Sequence, residues 1–499
     1  MTHRIKDSKL EQLMSEVQEA IEQERANISE TIHYQPFRKA ARLAVRLGAK
    51  GLMKAGIEKY ESAQGLFLNN IVHEFAKRIG KKAGQNDWTQ EYVEQRIMAC
   101  NHLTQTVKAS LPEFNSITRK RLLENLFYHQ VFTRLDTQEH YLKKYGERPP
   151  TFLLISPSMA CNLKCNGCWA GEYEKSNISA DKMNEVLHEA KKEMGIHYVV
   201  LTGGEPTLWK PIWDIMKEHQ DIAFMPYTNG TTIDEKMASK IADLGNFYPC
   251  VSVEGDKEAT DARRGAGTYD KTQKAMRLLK DNGVFFGFSA THTRANHKSL
   301  VEGGKFLDDM IEKGARIGWF FNYIPLGETP NPELMPTPEQ RVERFKVVDN
   351  LRREGKQLIV YDFWMDGPLV GGCVGWGKHY VHINADGYVE PCAFVHFAKD
   401  NINDKTLGEC IRSPWLKEAR ALQPFNDNLF APCPYIDNPE VLKSIVEKHR
   451  VRPTHEGAYQ CVSGPVYESV CQTANDYKAY LRGEKLEFRA CCDREGHRQ

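Results

Sequence analysis

The hydrophobic rhythm of the chain changes twice. Up to about residue 148, apolar positions recur every three or four residues. Leu10, Leu13, Met14 and Val17 set the spacing, and similar patterns cover roughly 36–59, 65–82, 89–109 and 115–144. That period predicts a run of helices. "YGERPP" breaks it, and Pro149–Pro150 marks a boundary. Short β-like runs then alternate with helix-spaced stretches. "TFLLIS" (151–156) is followed by a helix pattern at 180–194, "YVVLTGG" (198–204) by one at 211–219, and "IAFMPYTNG" (222–230) by one at 233–243. "YPCVSVEG" (248–255), "VFFGFSATHT" (284–293) and "GWFFNYIPLG" (318–327) continue the series, with helix patterns at 270–282 and 298–313 between them. Six such units predict a parallel sheet with helical crossovers, an α/β partial (β/α)6 TIM-like barrel. Ligands of such a sheet bind at the C-terminal ends of its strands. Beyond about 365 the alternation is lost.

These breaks predict four segments: a helical N-terminal domain (1–148), the partial barrel (149–365), a cysteine-rich C-terminal extension (366–440) and a helical tail (441–499), with "RVRPTH" (450–455) as a linker. No internal repeat or low-complexity tract interrupts them.

Composition narrows the class. A chain of 499 residues, 41% hydrophobic and 27% charged, has the make-up of a soluble globular protein with several domains. Its 67 Lys and Arg nearly balance 66 Asp and Glu, so no nucleic-acid partner is expected. "MTHRIKDSKLEQ" lacks an apolar signal region, and no run approaches the ~18 apolar residues of a membrane span, so a cytoplasmic location is expected. Thirteen cysteines, an odd number, in such a chain point to metal ligation rather than disulfides.

The cysteines are not scattered evenly. "MACNLKCNGCWAGEY" (159–173) places Cys161, Cys165 and Cys168 in a C-x3-C-x2-C loop just after the first strand. A closed structural metal site takes four protein ligands, and here three are local. The next strand ends in "LTGGEP", whose Gly203 and Gly204 let the backbone approach a ligand closely. On its own a Gly-Gly pair is merely a turn. One strand after a three-cysteine loop, it is highly specific.

These residues resemble the radical S-adenosylmethionine enzymes, strongly over 151–330 and well over 366–440. The resemblance implies that Cys161, Cys165 and Cys168 hold a [4Fe–4S] cluster with one open iron, which S-adenosylmethionine chelates through its amine and carboxylate. Gly203, Gly204, Glu205 and Pro206 would support the amino group. Asn229 in "YTNG", with Ser252 and Glu254 in "SVEG", falls where the family contacts the ribose and methionine parts. Arg263 and Arg264 could pair a carboxylate bidentately or form a solvated charge pair. The implied chemistry is reductive cleavage of S-adenosylmethionine to a 5′-deoxyadenosyl radical that abstracts hydrogen from a substrate C–H bond. The position before the third cysteine, often aromatic in the family, is Gly167 here, and Trp169 follows the motif.

The extension reads Cys373-x13-Gly387-x4-Cys392 with a later Cys433, similar to the auxiliary-cluster extensions of SPASM and twitch type. It lacks the dense cysteine tract of a full SPASM domain. The expectation is therefore one auxiliary [4Fe–4S] cluster on Cys373, Cys392 and Cys433. Cys461, Cys471, His382 or His396 could supply a fourth ligand, or an iron could stay open for substrate. Cys100, Cys250 and Cys410 read as packing residues, and Cys491–Cys492 as a tail thiol pair. "YDFWMDG" (361–367) reads as a strand end, where aromatics beside Asp362 and Asp366 could line the substrate pocket or form core and a capped turn.

One N-terminal stretch bears on substrate. In "FRKAARLAVRLGAKGLMKAGIEKY" (37–60), Arg38, Arg42, Arg46, Lys50 and Lys54 repeat every four residues, a basic stripe that suits an anionic membrane surface. Its alanine-rich apolar side equally fits a helix packed on protein. Two substrate classes stay open: a lipid, isoprenoid or other small molecule, at a membrane surface, and a peptide or protein. The implied reductant is a flavodoxin or ferredoxin. A non-catalytic iron–sulfur carrier would explain the cysteines but not the motifs at successive strand ends.

Overall fold

The computed structural model describes residues 90–171, 176–327, 329–484 and 486. They fall in one compact unit that runs from Asp87 onward. The basic stretch 37–60, the other patterns before residue 90 and the Cys491–Cys492 pair lie outside the described residues.

Among the described residues, nine strands share one sheet: β1 Phe152–Ile155, β2 Tyr198–Leu201, β3 Ala223–Thr228, β4 Cys250–Ser252, β5 Gly287–His292, β6 Ile317–Asn322, β7 Ile359–Asp362, β8 Tyr380–Ile383 and β9 Val389–Glu390. Their order is β7-β6-β5-β4-β3-β2-β1-β8-β9. Every pairing is parallel except β8 with β9. The six expected units stand in sequence order and curl into a half-barrel with helices on its outer face, as expected of the TIM-like fold.

Two strands extend that plan. β7 follows helix Pro338–Glu354, whose pattern does not read as amphipathic because its buried face carries Arg341, Arg344 and Asp349 beside Val342, Phe345, Val348 and Leu351. Arg344 grips Asp362 through two hydrogen bonds of 2.8 and 2.7 Å, both residues being fully buried. A buried charge is tolerated when it is paired in this way. β8 comes from the extension and pairs with β1 from Phe152↔Tyr380 to Ile155↔Ile383. One sheet therefore runs from the α/β segment into the cysteine-rich one.

Local signals set the helix boundaries. Ser179, Asp234 and Asp256 cap the helices Ala180–Met194, Glu235–Leu244 and Lys257–Arg264 through side-chain oxygens, and Gly195 ends the first in a left-handed conformation. The tail helix Gly464–Gly483 packs on Pro338–Glu354: Tyr477 and Leu481 meet Val342, Phe345, Met365 and Phe430 in one buried cluster. In the segment read as a linker, Arg452–Pro453 forms a short antiparallel pair with Phe397–Ala398.

Candidate active site

The three-cysteine loop leaves the C-terminal end of β1, where Cys161 is exposed and Cys165 and Cys168 are half-buried. It rests on the end of β2. Gly204 N–H donates to the Ser158 carbonyl at 3.0 Å and Glu205 N–H to the Ala160 carbonyl at 2.8 Å. A Cβ on Gly204 would lie 2.2 Å from the Ala160 oxygen, and one on Gly203 (φ +102°) 2.5 Å from the Ser158 oxygen. The Gly-Gly pair is thus required for this backbone to touch the chain just before Cys161.

Glu205 is buried, and its carboxylate is fully employed inside the protein. One oxygen accepts from Thr207 N (3.1 Å), Thr207 Oγ1 (2.7 Å) and Thr228 Oγ1 (2.8 Å), and the other from Asn229 N (2.7 Å). Burial raises its pKa, against these four donors. Asn229 donates in turn to Asn162 Oδ1 at 2.8 Å, inside the cysteine loop. Glu205 and Asn229 therefore fasten the ends of β2 and β3 to that loop.

At the end of β4, Glu254 is completely buried and takes Arg263 Nη1 and Arg264 Nε on one oxygen, both at 2.7 Å, and Thr291 N on the other at 2.9 Å. Burial pushes its carboxyl up, but the two guanidiniums outweigh burial and the net shift is downward. Two cations against one anion leave one positive charge. It faces the cysteine loop: Arg263 O accepts from Asn166 N at 2.8 Å, and burial raises the Cys165 thiol pKa while Arg264 and Arg263 pull it back.

Between these strand ends lies a cleft whose empty space, counted out to its mouth, is about 850 Å³. Alternate residues face into it: Phe152 and Leu154 of β1, Val200 and then Thr202 at the end of β2, Ser289 and Thr291 of β5, Trp319 and Phe321 of β6. Ser252 hydrogen-bonds Ser289 across β4 and β5 at 3.0 Å. Gly167 and Trp169 from the cysteine loop and Ala393 and Phe394 from the extension complete the wall. A Cβ on Gly167 would lie 2.5 Å from the Tyr323 ring, so Tyr323 fills the space that a side chain at 167 would need. Tyr323 carries no motif of its own. Only the closure of the sheet places it there.

Trp169 bridges to the extension. Its ring stacks on His396 (centroids 6.0 Å apart, 16° between planes) and meets Phe394 edge-on at 5.7 Å. Cys373, Cys392 and Cys433 are each within electrostatic reach of another of the three. Burial pushes Cys392 up to about 11 and Cys433 to about 12. Tyr380 Oη lies 2.9 Å from the Cys392 sulfur. Two thiolates on one tetrahedral zinc with bonds of about 2.3 Å would be about 3.8 Å apart. Among the described residues, neither cysteine trio gathers its sulfurs within 4.8 Å of one another.

The other candidate ligands are drawn elsewhere. Both His382 nitrogens are engaged, by Ser156 Oγ (2.7 Å) and Glu390 Oε2 (2.6 Å). An ionised carboxylate only accepts, so Nδ1 donates to Glu390 while Nε2 meets the Ser156 hydroxyl. His396 faces the other Glu390 oxygen at 3.5 Å. Cys461 is buried against the Tyr435 hydroxyl, and Cys471 faces Tyr467 on its own helix. Cys250 and Cys410 are wholly buried, Cys100 partly so. Asp362 and Asp366 face inward to Arg344 and Arg352.

Comparison with known proteins agrees with this geometry. Residues 155–302 match the Radical SAM superfamily model, and residues 373–435 match the SPASM iron–sulfur cluster-binding domain model. The chain is 23% identical over 322 residues to the AdoMet-dependent heme synthase of Nitratidesulfovibrio vulgaris, covering 57% of this chain and 86% of that one. It is 27% identical over 282 residues to the mycofactocin maturase MftC of Mycobacterium tuberculosis, covering 52% and 68%. Streptococcus suis SuiB, in a crystal structure with its precursor peptide SuiA, shares the fold at a TM-score of 0.50 and 21% identity, over 61% of this chain and 75% of that one. No described helix is long and apolar enough to cross a membrane. The chain is a radical S-adenosylmethionine enzyme with a SPASM-type extension, whose cofactors are a [4Fe–4S] cluster, S-adenosylmethionine and an auxiliary iron–sulfur cluster.

Proposed function

We propose that this enzyme modifies a peptide, abstracting hydrogen from an apolar or aromatic side chain held in the cleft. The observation that carries the reading is the wall of that cleft, where rings of Trp169, Tyr227, Trp319, Phe321, Phe363 and Phe394 surround the space between the cysteine loop and the extension. Such a wall binds an uncharged, bulky group by burying it.

In this reading Cys161, Cys165 and Cys168 hold the cluster that receives S-adenosylmethionine, and Cys373, Cys392 and Cys433 hold the auxiliary one. When bound, the first cluster supplies the electron that cleaves the sulfonium and yields the 5′-deoxyadenosyl radical. The chain's own residues position and shield. Gly203 and Gly204 keep the β2 end flush with the loop, and the Pro206 turn follows. Glu205 and Asn229 hold the loop rigid rather than contacting cosubstrate through their side chains. The positive charge left on Arg263 and Arg264 attracts the cosubstrate carboxylate, and Ser252 offers a hydroxyl to its ribose. Tyr323 supplies the aromatic face that the loop itself lacks at Gly167. A flavodoxin or ferredoxin delivers the electron from outside.

A tetrapyrrole substrate is the second reading, favoured by the same aromatic wall and by the relative named as a heme synthase. Its carboxylates would need cations in the cleft. The cations lining it, Arg263 and Arg264, share Glu254, and the one charge they leave over is taken in this reading by the cosubstrate carboxylate. The lipid reading draws on the basic stretch 37–60, which lies outside the described residues, and on the apolar helical section around it.

The test is anaerobic. Reconstituted protein with dithionite and S-adenosylmethionine should form 5′-deoxyadenosine, and Cys165→Ala should not. Peptides bearing aromatic or branched aliphatic residues should accelerate nucleoside formation and lose hydrogen by mass. Acceleration by an iron porphyrin and not by peptides would replace this reading with the second.

A further inference from the structure

On the outer face of the barrel, away from the cysteine loop, two helices bring three metal-binding side chains together. Helix Ala180–Met194 carries Asn184 and His188, four residues apart and so on one face. Helix Ile212–Glu218 ends in Glu218, with His219 as its C-cap. One donor atom from each of His188, Glu218 and His219 lies within 4.8 Å of the others. His188 Nε2 and Glu218 Oε1 are 3.5 Å apart. Two ligands of one tetrahedral ion with bonds of about 2.0–2.2 Å lie roughly 3.4 Å apart.

His219 makes this more than a surface cluster. It is 0% exposed, and the His188 ring packs against it with centroids 4.8 Å apart. Its Nε2 meets Asn184 Oδ1 at 3.0 Å. Its Nδ1 is buried with no hydrogen-bond partner. A buried imidazole nitrogen in that state needs an explanation. If Nε2 donates to the Asn184 oxygen, Nδ1 carries a lone pair. A metal-ligating histidine has this arrangement, with its other nitrogen fixed by an acceptor. The ammonium of Lys191 is engaged by Asp221 at 2.9 Å.

We infer that His188, Glu218 and His219 form a binding site for a divalent transition-metal ion of the zinc type, oriented by Asn184, that ties these two barrel helices together. Two neutral imidazoles and one carboxylate form a ligand set suited to zinc, with water completing the coordination. The role is structural, because the site stands apart from the cleft, and it is independent of the peptide reading.

The test uses the iron–sulfur-loaded protein, so that the cysteine trios are filled, and Co²⁺ as the probe under anaerobic conditions. A single cobalt ion per chain should bind with the weak d–d bands of a nitrogen and oxygen site and without new sulfur charge-transfer absorption. His188→Ala and Glu218→Ala change exposed residues and should each weaken binding at least tenfold, while nucleoside formation continues. Asn184→Ala should weaken it roughly 10- to 100-fold. Zinc should raise the melting temperature of the wild type and not of His188→Ala. Cobalt affinity in His188→Ala within a factor of two of wild type would overturn the site. So would cobalt bound only with a sulfur signature, or none bound.

Discussion

Replacing Glu254 by Gln probes how the structure holds the charged side of the cleft. The carboxylate is 0% exposed, and the arginine side chains it receives are 12% and 11% exposed. Gln keeps the shape but removes the charge. If its oxygen faces the arginines, its NH2 meets the Thr291 N–H, which also donates. If it is flipped, it meets two guanidiniums. One hydrogen bond fails in either orientation, and two buried cations lose their counter-ion. Removing one partner of a buried pair costs about 3–5 kcal/mol. Unfolding entropy near 2.1 cal/mol/K per residue gives about 0.87 kcal/mol/K for the unit from Asp87 to Gln499. The melting temperature should therefore fall by about 3–6 °C. The assay is anaerobic thermal unfolding of reconstituted wild type and variant, followed by near-UV dichroism. Because the folded pKa of Glu254 lies below its ordinary value of 4.5, its contribution is complete above pH 4.5 and is lost as the pH falls through the folded pKa. The deficit should thus be equal at pH 8 and pH 6. A shift under 1 °C, or a deficit that changes between those two values, would refute the argument that one buried carboxylate holds both arginines.

Other outcomes follow from the same structure. Gly204→Ala puts a methyl 2.2 Å from the Ala160 oxygen. It should displace the cysteine loop and lower both iron content on reconstitution and nucleoside formation, whereas Gly483→Ala, with no neighbour within 4 Å, should leave iron content unchanged. Cys433→Ser should lower iron to roughly half, about four per chain, while nucleoside formation without substrate persists; loss of all iron would contradict two separate sites. Burial holds His129, His219 and His455 at about 4. The unfolded chain takes up those protons first, so stability should be full above about pH 6.5 and fall between 6.5 and 4. A melting temperature that stays flat from pH 7 to pH 5 would contradict this.

How much was legible in the sequence depended on the kind of signal. Alternating β runs and helix-spaced stretches announced six sheet units because a strand buried on both faces must be apolar and its covering helix amphipathic. Of β7 only the strand end at "YDFWMDG" was legible; its crossover helix was not, because it buries Arg341, Arg344 and Asp349, and such residues register as polar until their partners are known. Nothing local marks "YVHI" as the strand that joins β1, since pairing with a segment more than 220 residues earlier is decided by the closure of the sheet. The three-cysteine loop and "LTGGEP" were readable because their chemistry is set by spacing along the chain. What the polar side chains do was not. Glu205, Asn229 and Glu254 read as groups offered to a cosubstrate, yet their side-chain atoms are bonded inside the protein.

The sequence by itself determined the order of elements and the cysteine loop, which are properties of neighbouring residues. Tertiary structure alone decided which partners the buried carboxylates take, that Tyr323 stands beside Gly167, that Trp169 stacks on His396, and that His219 keeps an unpartnered nitrogen beside His188. The physical reason is that a side chain's partners, and hence its charge state and availability, are set by segments tens to hundreds of residues away.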